Sequence, residues 1–156
     1  VDGTRKTAGL SGPLGDANYE PQVHVYGTQV PEDTAALRRA AELGARGWVP
    51  ARSFTQIRHP VVADGALSEA LRRARVVVLY GNGRNNAALA AIGADLPIEV
   101  GPDYLGLRDR RLTDPGAGTR FICPDPLAPD KYLVVQAGVS AAAVEAGGKL
   151  PIHLAD

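Results

Sequence analysis

The hydrophobic positions of this chain fall in short bursts separated by longer stretches of mixed character, and two of the bursts are unbroken. Residues 22–26 (QVHVY) and 75–80 (RVVVLY) are rich in β-branched side chains, and each ends at a Tyr-Gly pair. A run of this length, apolar on both sides, is what a central strand of a parallel sheet needs when helices cover both of its faces. Residues 119–123 (TRFIC) and 132–136 (YLVVQ) have the same strand character.

Between the bursts the period turns helical. Pro31-Glu32-Asp33 suits a helix start, because proline fits the first turn and acidic side chains favour the positive end of the dipole. Leu37, Ala40, Ala41 and Gly44 then share one face, with Arg38, Arg39 and Glu42 opposite. Residues 66–74 form a second amphipathic stretch, with Leu67 and Leu71 four apart. Residues 87–92 predict a third helix, closed by Gly93, and 140–146 a fourth, capped by Ser140.

The remaining stretches are less regular. Residues 47–57 suggest one short strand and a loop, 96–100 (LPIEV) an edge strand, and 149–154 a last strand. Residues 101–118 read as a polar excursion or a distorted hairpin. Residues 124–131, with Pro124, Pro126 and Pro129, read as a stiff bridge. Strand–helix alternation of this kind predicts a three-layer α/β fold, Rossmann-like or flavodoxin-like, with a mostly parallel sheet. The glycine-rich residues 1–21 are an irregular lead-in, and 22–156 are expected to form a single domain.

Composition narrows the classes. A chain of 156 residues buries roughly 68–70% of its unfolded surface, so neither disulfide nor metal is needed to fold it. Lys plus Arg and Asp plus Glu are 17 each, so the formal charge is zero. That disfavours a nucleic-acid partner, since phosphate neutralisation calls for a basic excess. No apolar run is long enough for a transmembrane helix, so no membrane partner is expected. Arginine far outnumbers lysine and alanine is abundant, which is associated with bacterial genes of high GC content. The start at Val1 suggests a piece of a larger protein. The compartment is left open; a secreted or periplasmic location would follow from an upstream signal.

The turn that follows residues 75–80 is the first candidate for chemistry. Gly81, Asn82, Gly83, Arg84, Asn85 and Asn86 lie where a buried strand delivers the chain to a helix start, a place where backbone N–H groups favour an anion. Asn86 stands where a dinucleotide fingerprint would have its third glycine, and the phosphate-loop pattern is absent. A tight turn using Gly and Asn for positive φ accounts for the same residues. If strands 22–26 and 75–80 are neighbours, Thr28 joins Asn82, Arg84, Asn85 and Asn86 on the carboxyl rim of the sheet, where open α/β sheets bind ligands. A domain that binds a small molecule or an anion such as phosphate or a nucleotide through the 81–86 turn is therefore one expectation.

Gly138-Val139-Ser140-Ala141-Ala142 superficially resembles a nucleophile elbow, but Ala142 replaces the final glycine and Asp156 follows His153 instead of preceding it. Helix capping is the plainer role for Ser140. His24, His59, His153 and Cys123 lack metal-ligand spacing, and Cys123 reads as a small buried hydrophobe. No catalytic residue, metal ligand or cofactor is expected in the chain.

Four segments together carry a family likeness: GLSGPLGDA (9–17), VHVYGT (23–28), VVLYGNGRNN (77–86) and CPDPLAPDKYLVVQAG (123–138). In this order they resemble the C-terminal α/β domain of bacterial serine α/β-hydrolases of the prolyl oligopeptidase or esterase type. That family's pattern has a Gly-Pro-(Ile/Leu)-x-Asp-Ala lead-in and a Pro-Asn-Pro-Leu-Asn-Pro-x-(Lys/Arg)-Tyr-Val-Val segment. Asp125 and Ala128 stand where the pattern has Asn, and Gln136-Ala137 where it has Asn-Ser. The resemblance implies an accessory domain that packs against or orients a hydrolase catalytic domain in the same polypeptide, or binds a protein partner. It also implies that the catalytic serine, acid and histidine lie in that other domain.

Overall fold

The computed structural model describes residues 10, 12, 14–46 and 59–148. The chain enters through a 3-10 turn, Leu14–Tyr19, within the segment expected to be irregular. The elements then follow as β1 (Gln22–Tyr26), α1 (Pro31–Ala45), β2 (Val61–Ala63), α2 (Glu69–Ala74), β3 (Val76–Gly81) and α3 (Ala87–Ile92). After these come β4 (Glu99–Val100), β5 (Leu105–Leu107), β6 (Arg110–Leu112), β7 (Gly118–Asp125), β8 (Ala128–Gly138) and α4 (Ala141–Gly147).

Five strands form the main sheet in the order β2-β1-β3-β8-β7. All pairs are parallel except β7–β8, which is antiparallel. The buried strand β3 lies at the centre, as its double-sided apolarity requires. Its register carries Tyr26 beside Tyr80 and Tyr80 beside Gln136. Helices α1 and α4 cover one face and α2 with α3 the other, giving the three-layer α/β architecture.

The pleat divides each strand between two cores. Val23, Val25, Val77, Leu79, Leu133 and Val135 pack with Leu89 and Ile92 of α3 and with Leu105 of β5. Val76, Val78, Tyr80 and Val134 pack with Leu37, Ala40 and Ala41 of α1 and with Val144 of α4. The first helix starts at Pro31 as expected, and Ser140 caps α4 by accepting from the N–H of Ala143.

Several local expectations are corrected. The stretch 66–74 begins with a 3-10 turn, Asp64–Ala66, and becomes α-helical only after the Ser68 cap. The edge strand expected within 96–100 is present as Glu99–Val100, but it lies at the edge of a separate antiparallel sheet of order β4-β5-β6. Within residues 101–118 the distorted hairpin is the antiparallel pair β5–β6. The expected bridge 124–131 is mostly strand, because β7 and β8 form one long hairpin turning at Pro126-Leu127. A register irregularity falls at Pro124/Asp125, and Pro126 lies in the turn itself. The expectations for 47–57 and 149–154 lie outside the described residues.

Candidate functional site

The carboxyl rim is built by three loops that follow β1, β2 and β3. Because β1 pairs with both β2 and β3, these loops must emerge side by side. Gly27 lets two of them touch: a Cβ there would lie 2.1 Å from the carbonyl oxygen of Asn85. Gly81 has φ +138°, a conformation closed to other residues, and it turns the chain out of β3. Thr28, Asn82, Arg84, Asn85 and Asn86 therefore do converge with Gly81 and Gly83.

The hub of the rim is Asp64, just past β2. Its Oδ1 accepts from Thr28 Oγ1 (2.5 Å) and from the N–H of Gly65 (3.0 Å). Its Oδ2 accepts from the N–H of Ala87 (2.7 Å) and from Gln29 Nε2 (3.1 Å). Burial pushes this carboxyl up, but the hydrogen bonds from Thr28, Ala87 and Gln29 outweigh it and hold Asp64 below the usual aspartate range. Asp64 thus stands, as a charged group, at the first turn of α3.

The asparagines complete the turn internally. Asn82 Oδ1 accepts from the N–H groups of Arg84 (3.0 Å) and Asn85 (3.2 Å), while its Nδ2 donates to the carbonyls of Gly138 and Val139 (3.1 and 3.2 Å). Asn85 Oδ1 accepts from the N–H of Asn82 (2.8 Å), and its Nδ2 donates to Asp33 Oδ2 (2.9 Å) in the first turn of α1. Asn86 caps α3 by accepting from Ala88 and Leu89, and donates to the carbonyl of Tyr80 (2.9 Å). The N–H of Gly83 donates to Gly101 (2.9 Å).

The donors that an external anion would use are therefore engaged from within the chain. Ala87 is taken by Asp64, and Ala88 and Leu89 by Asn86. Arg84 alone points outward, exposed and 3.5 Å from Asp33. A ligand here would have to compete with a covalently tethered carboxylate. The chemistry of the arrangement is cross-linking: it ties the ends of β1, β2, β3 and β8 together.

A second polar cluster lies under α1. Gln22 Nε2 donates to Ala17 O (2.8 Å), which leaves its Oε1 to accept from His24 Nε2 (3.0 Å). His24 Nδ1 then accepts from the Tyr80 hydroxyl (2.8 Å). Both groups are buried in the core. Burial, with the nearby His59 and Arg120, lowers His24 to about 3, and burial raises the Tyr80 phenol above its ordinary range. His24 is thus a neutral structural histidine, as its position in a strand suggested.

Near the hairpin turn, Asp125 Oδ2 meets Arg72 Nη1 at 2.5 Å in a buried ion pair, and its Oδ1 accepts from the N–H of Leu127 (2.9 Å). Between this pair and Asp64 lies an open cleft of about 530 Å³, lined by Leu67, Ala87, Ala88 and Leu127. Cys123 is buried and its thiol is pushed up to about 12 by burial and by Asp125, so it stays protonated. Ser140 donates to the carbonyl of Pro115 (2.7 Å) while capping α4, and His153 and Asp156 lie outside the described residues. Among the described residues no group of three His, Cys, Asp or Glu side chains is placed to hold a metal, and no helix is long and apolar enough to cross a membrane.

Sequence reasoning missed Asp64, Asp33 and the Arg72–Asp125 pair. The Asp-Gly step at 64–65 was visible as a turn signal, but of the four donors to Asp64 only Gly65 is its neighbour; the other three come from two distant places, Thr28 and Gln29 after β1 and Ala87 at the start of α3. No family model matches this chain, and neither a curated protein nor a solved structure matches it.

Proposed function

We propose that this chain is a non-catalytic α/β accessory domain of a serine hydrolase of the peptidase or esterase type, packing against or orienting a catalytic domain in the same polypeptide or binding a protein partner. One observation carries this reading. The segments that give the chain its likeness to such domains spend their polar side chains on architecture. Asn82, Asn85 and Asn86 tie the strand ends together, Asp125 staples the hairpin to α2, and Gln136 donates to Val144 O (2.7 Å) to seat α4. Residues kept for holding a rigid body fit a domain whose task is to support another. An anion-binding role for the 81–86 turn is less favoured, because Asp64 already holds the position such a ligand would take.

The test is activity-based labelling with a fluorophosphonate. The isolated chain should remain unlabelled, while the polypeptide encoded by the whole reading frame should be labelled at a serine outside residues 1–156. Deleting the domain from that polypeptide should lower its esterase or peptidase turnover or its thermal stability. Labelling of Ser140, or a reading frame without a reactive serine, would overturn the proposal.

A further inference from the structure

The β5–β6 hairpin is anchored to the molecule through β5 alone. Leu105 of β5 is buried in the aliphatic core, whereas no residue of β6 is buried and none belongs to either core. Residues 107–116 are all exposed, the longest such run among the described residues. Among those residues β6 pairs only with β5, setting Leu112 beside Leu105, Arg111 beside Gly106 and Arg110 beside Leu107. The turn between the two strands is tight, and its first residue, Arg108, has φ 56°, where glycine is the usual choice. It is the only non-glycine residue with positive φ among the described residues. Peeling β6 away therefore gives up a few backbone hydrogen bonds, relieves one strained residue and disturbs no core contact. Such segments lie at the low end of local opening free energy, and they are where endopeptidases cut.

The side chains of the hairpin suit one class of enzyme. Arg108, Arg110 and Arg111 fall within four residues. An arginine-specific serine endopeptidase needs an arginine whose guanidinium is free to enter a pocket with a carboxylate at its floor. Arg108 and Arg110 have no hydrogen-bond or ion-pair partner among the described residues. Arg111 lies over Tyr104, 4.2 Å from the ring centroid, a contact that holds weakly at an exposed site. The exposed arginines of the helices are engaged instead, Arg38 with Glu42, Arg39 with Glu145 and Arg73 with Glu69. Their helices would also have to unwind before the chain could enter a peptidase as an extended strand.

A cut in the hairpin leaves the fold closed. The N-terminal piece keeps β1 to β3 with α1 to α3, and the C-terminal piece carries β7, β8 and α4. Strand β8 lies between β3 and β7 and runs in register with β3 from Leu133 to Ala137. Leu133 and Val135 share one core with Val77 and Leu79, and Val144 of α4 shares the other with Leu37 of α1. The hairpin supplies no strand to the main sheet.

We infer that the β5–β6 hairpin is a processing site for an arginine-specific serine endopeptidase, cut after Arg110 or Arg111, and that the two pieces remain one folded body. The step is hydrolysis: the C–N bond breaks, the oxygen of water joins the arginine carbonyl carbon to give a carboxylate, and both protons of water go to the departing nitrogen, which leaves as an ammonium group. The inference does not depend on the hydrolase reading.

Trypsin is the probe, at a low ratio to the folded chain, with each cut bond followed over time by mass spectrometry. Cleavage after Arg110 or Arg111 should be at least about tenfold faster than after Arg38, Arg39 or Arg73. The two pieces should co-elute in gel filtration and part only in denaturant. Replacing all three hairpin arginines by glutamine should abolish the fast cut and leave thermal unfolding unchanged. Arg108→Gly suits the positive φ, so it should close the hairpin and slow the cut after Arg110 and Arg111 about threefold. Equal rates at the helical arginines, an uncut hairpin, or pieces that part without denaturant would overturn the inference. So would an unchanged or faster cut in Arg108→Gly.

Discussion

The two faces of the central sheet are made by alternate residues of the same strands, yet they differ in kind. Toward α2 and α3 the strands β1, β3 and β8 present aliphatic side chains, Val23 and Val25, Val77 and Leu79, Leu133 and Val135, and β7 adds Phe121 and Cys123. Charge on that side is confined to the margins, at Asp64 and at the Arg72–Asp125 pair. Toward α1 and α4 the strands bury His24, Tyr80 and Gln136 among the aliphatics. Burying apolar area gives stability in proportion to area and without direction. A satisfied polar network adds less net energy, but it specifies how the layers must fit. On this comparison the α2/α3 face supplies most of the adhesion, and the α1/α4 face fixes the seating of its helices.

The largest expected effect probes the margin of the aliphatic face. Asp125→Ala leaves the Arg72 guanidinium buried without its partner, and should cost about 3–5 kcal/mol in denaturant unfolding. Asp125→Asn restores the residue that the resemblance would place there. It keeps an acceptor for the Leu127 N–H and removes only the charge, so its cost should be less than half as great. Equal costs for the two substitutions would show that the hairpin, and not the ion pair, matters at this margin.

The interior of the same face comes next. Leu79→Ala removes a fully buried side chain from the aliphatic core and should cost about 3 kcal/mol. Tyr80→Phe, its neighbour on the opposite face, deletes only a hydroxyl bonded to His24 and should cost about 1 kcal/mol. A reversed order would break the division of labour between the faces.

A third substitution sharpens the idea of seating. A Cβ at Gly44 of α1 would lie 2.0 Å from the Tyr80 hydroxyl and 3.2 Å from His24 Nδ1. Gly44→Ala should therefore cost about 2 kcal/mol in spite of alanine's better helix propensity. The clash is with the end of one side chain, so Tyr80→Phe in the same molecule should recover part of the loss. Additive costs in that double-mutant cycle would mean that α1 is not seated by this contact.

The contrast between faces also explains what could be read from the sequence. The strand 76–81 was legible because it is apolar on both sides, and the start of α1 because Pro31, Glu32 and Asp33 act through local backbone geometry. The convergence of Thr28 with 81–86 followed once two such strands were taken as neighbours. Strand β2 was not legible, since three half-buried residues at a sheet edge carry no period. The length of the hairpin strands was missed because the three prolines were read as a stiff bridge between them. Pro124 occupies an outward-facing edge position, and Pro129 falls before β8 meets β3 at Leu133. The candidate site was half legible. Its asparagines announced a turn, but the carboxylate that fills its anion position lies about twenty residues away, and only the parallel order of β1, β2 and β3 brings it there.

A pH dependence reads the polar face most directly. His24 is neutral in the folded chain, lowered to about 3 mainly by burial, and ionises near 6.5 once unfolded. A histidine whose folded pKa is depressed takes up its proton only in the unfolded state between those two values. Stability is therefore unaffected above pH 7 and falls as the pH drops from about 6.5 toward 3. Between pH 7 and pH 5 the loss from His24 should reach up to about 2 kcal/mol. His59, also lowered by burial and by Arg75, adds in the same direction, whereas Asp64 contributes only at still lower pH. His24→Gln removes the titrating group. Although less stable at neutral pH, it should lose clearly less between pH 7 and pH 5 than the parent chain, and His59→Gln should leave most of the slope in place. An unchanged slope in His24→Gln would mean that the proton is taken up elsewhere and that the ring under α1 is held by packing alone.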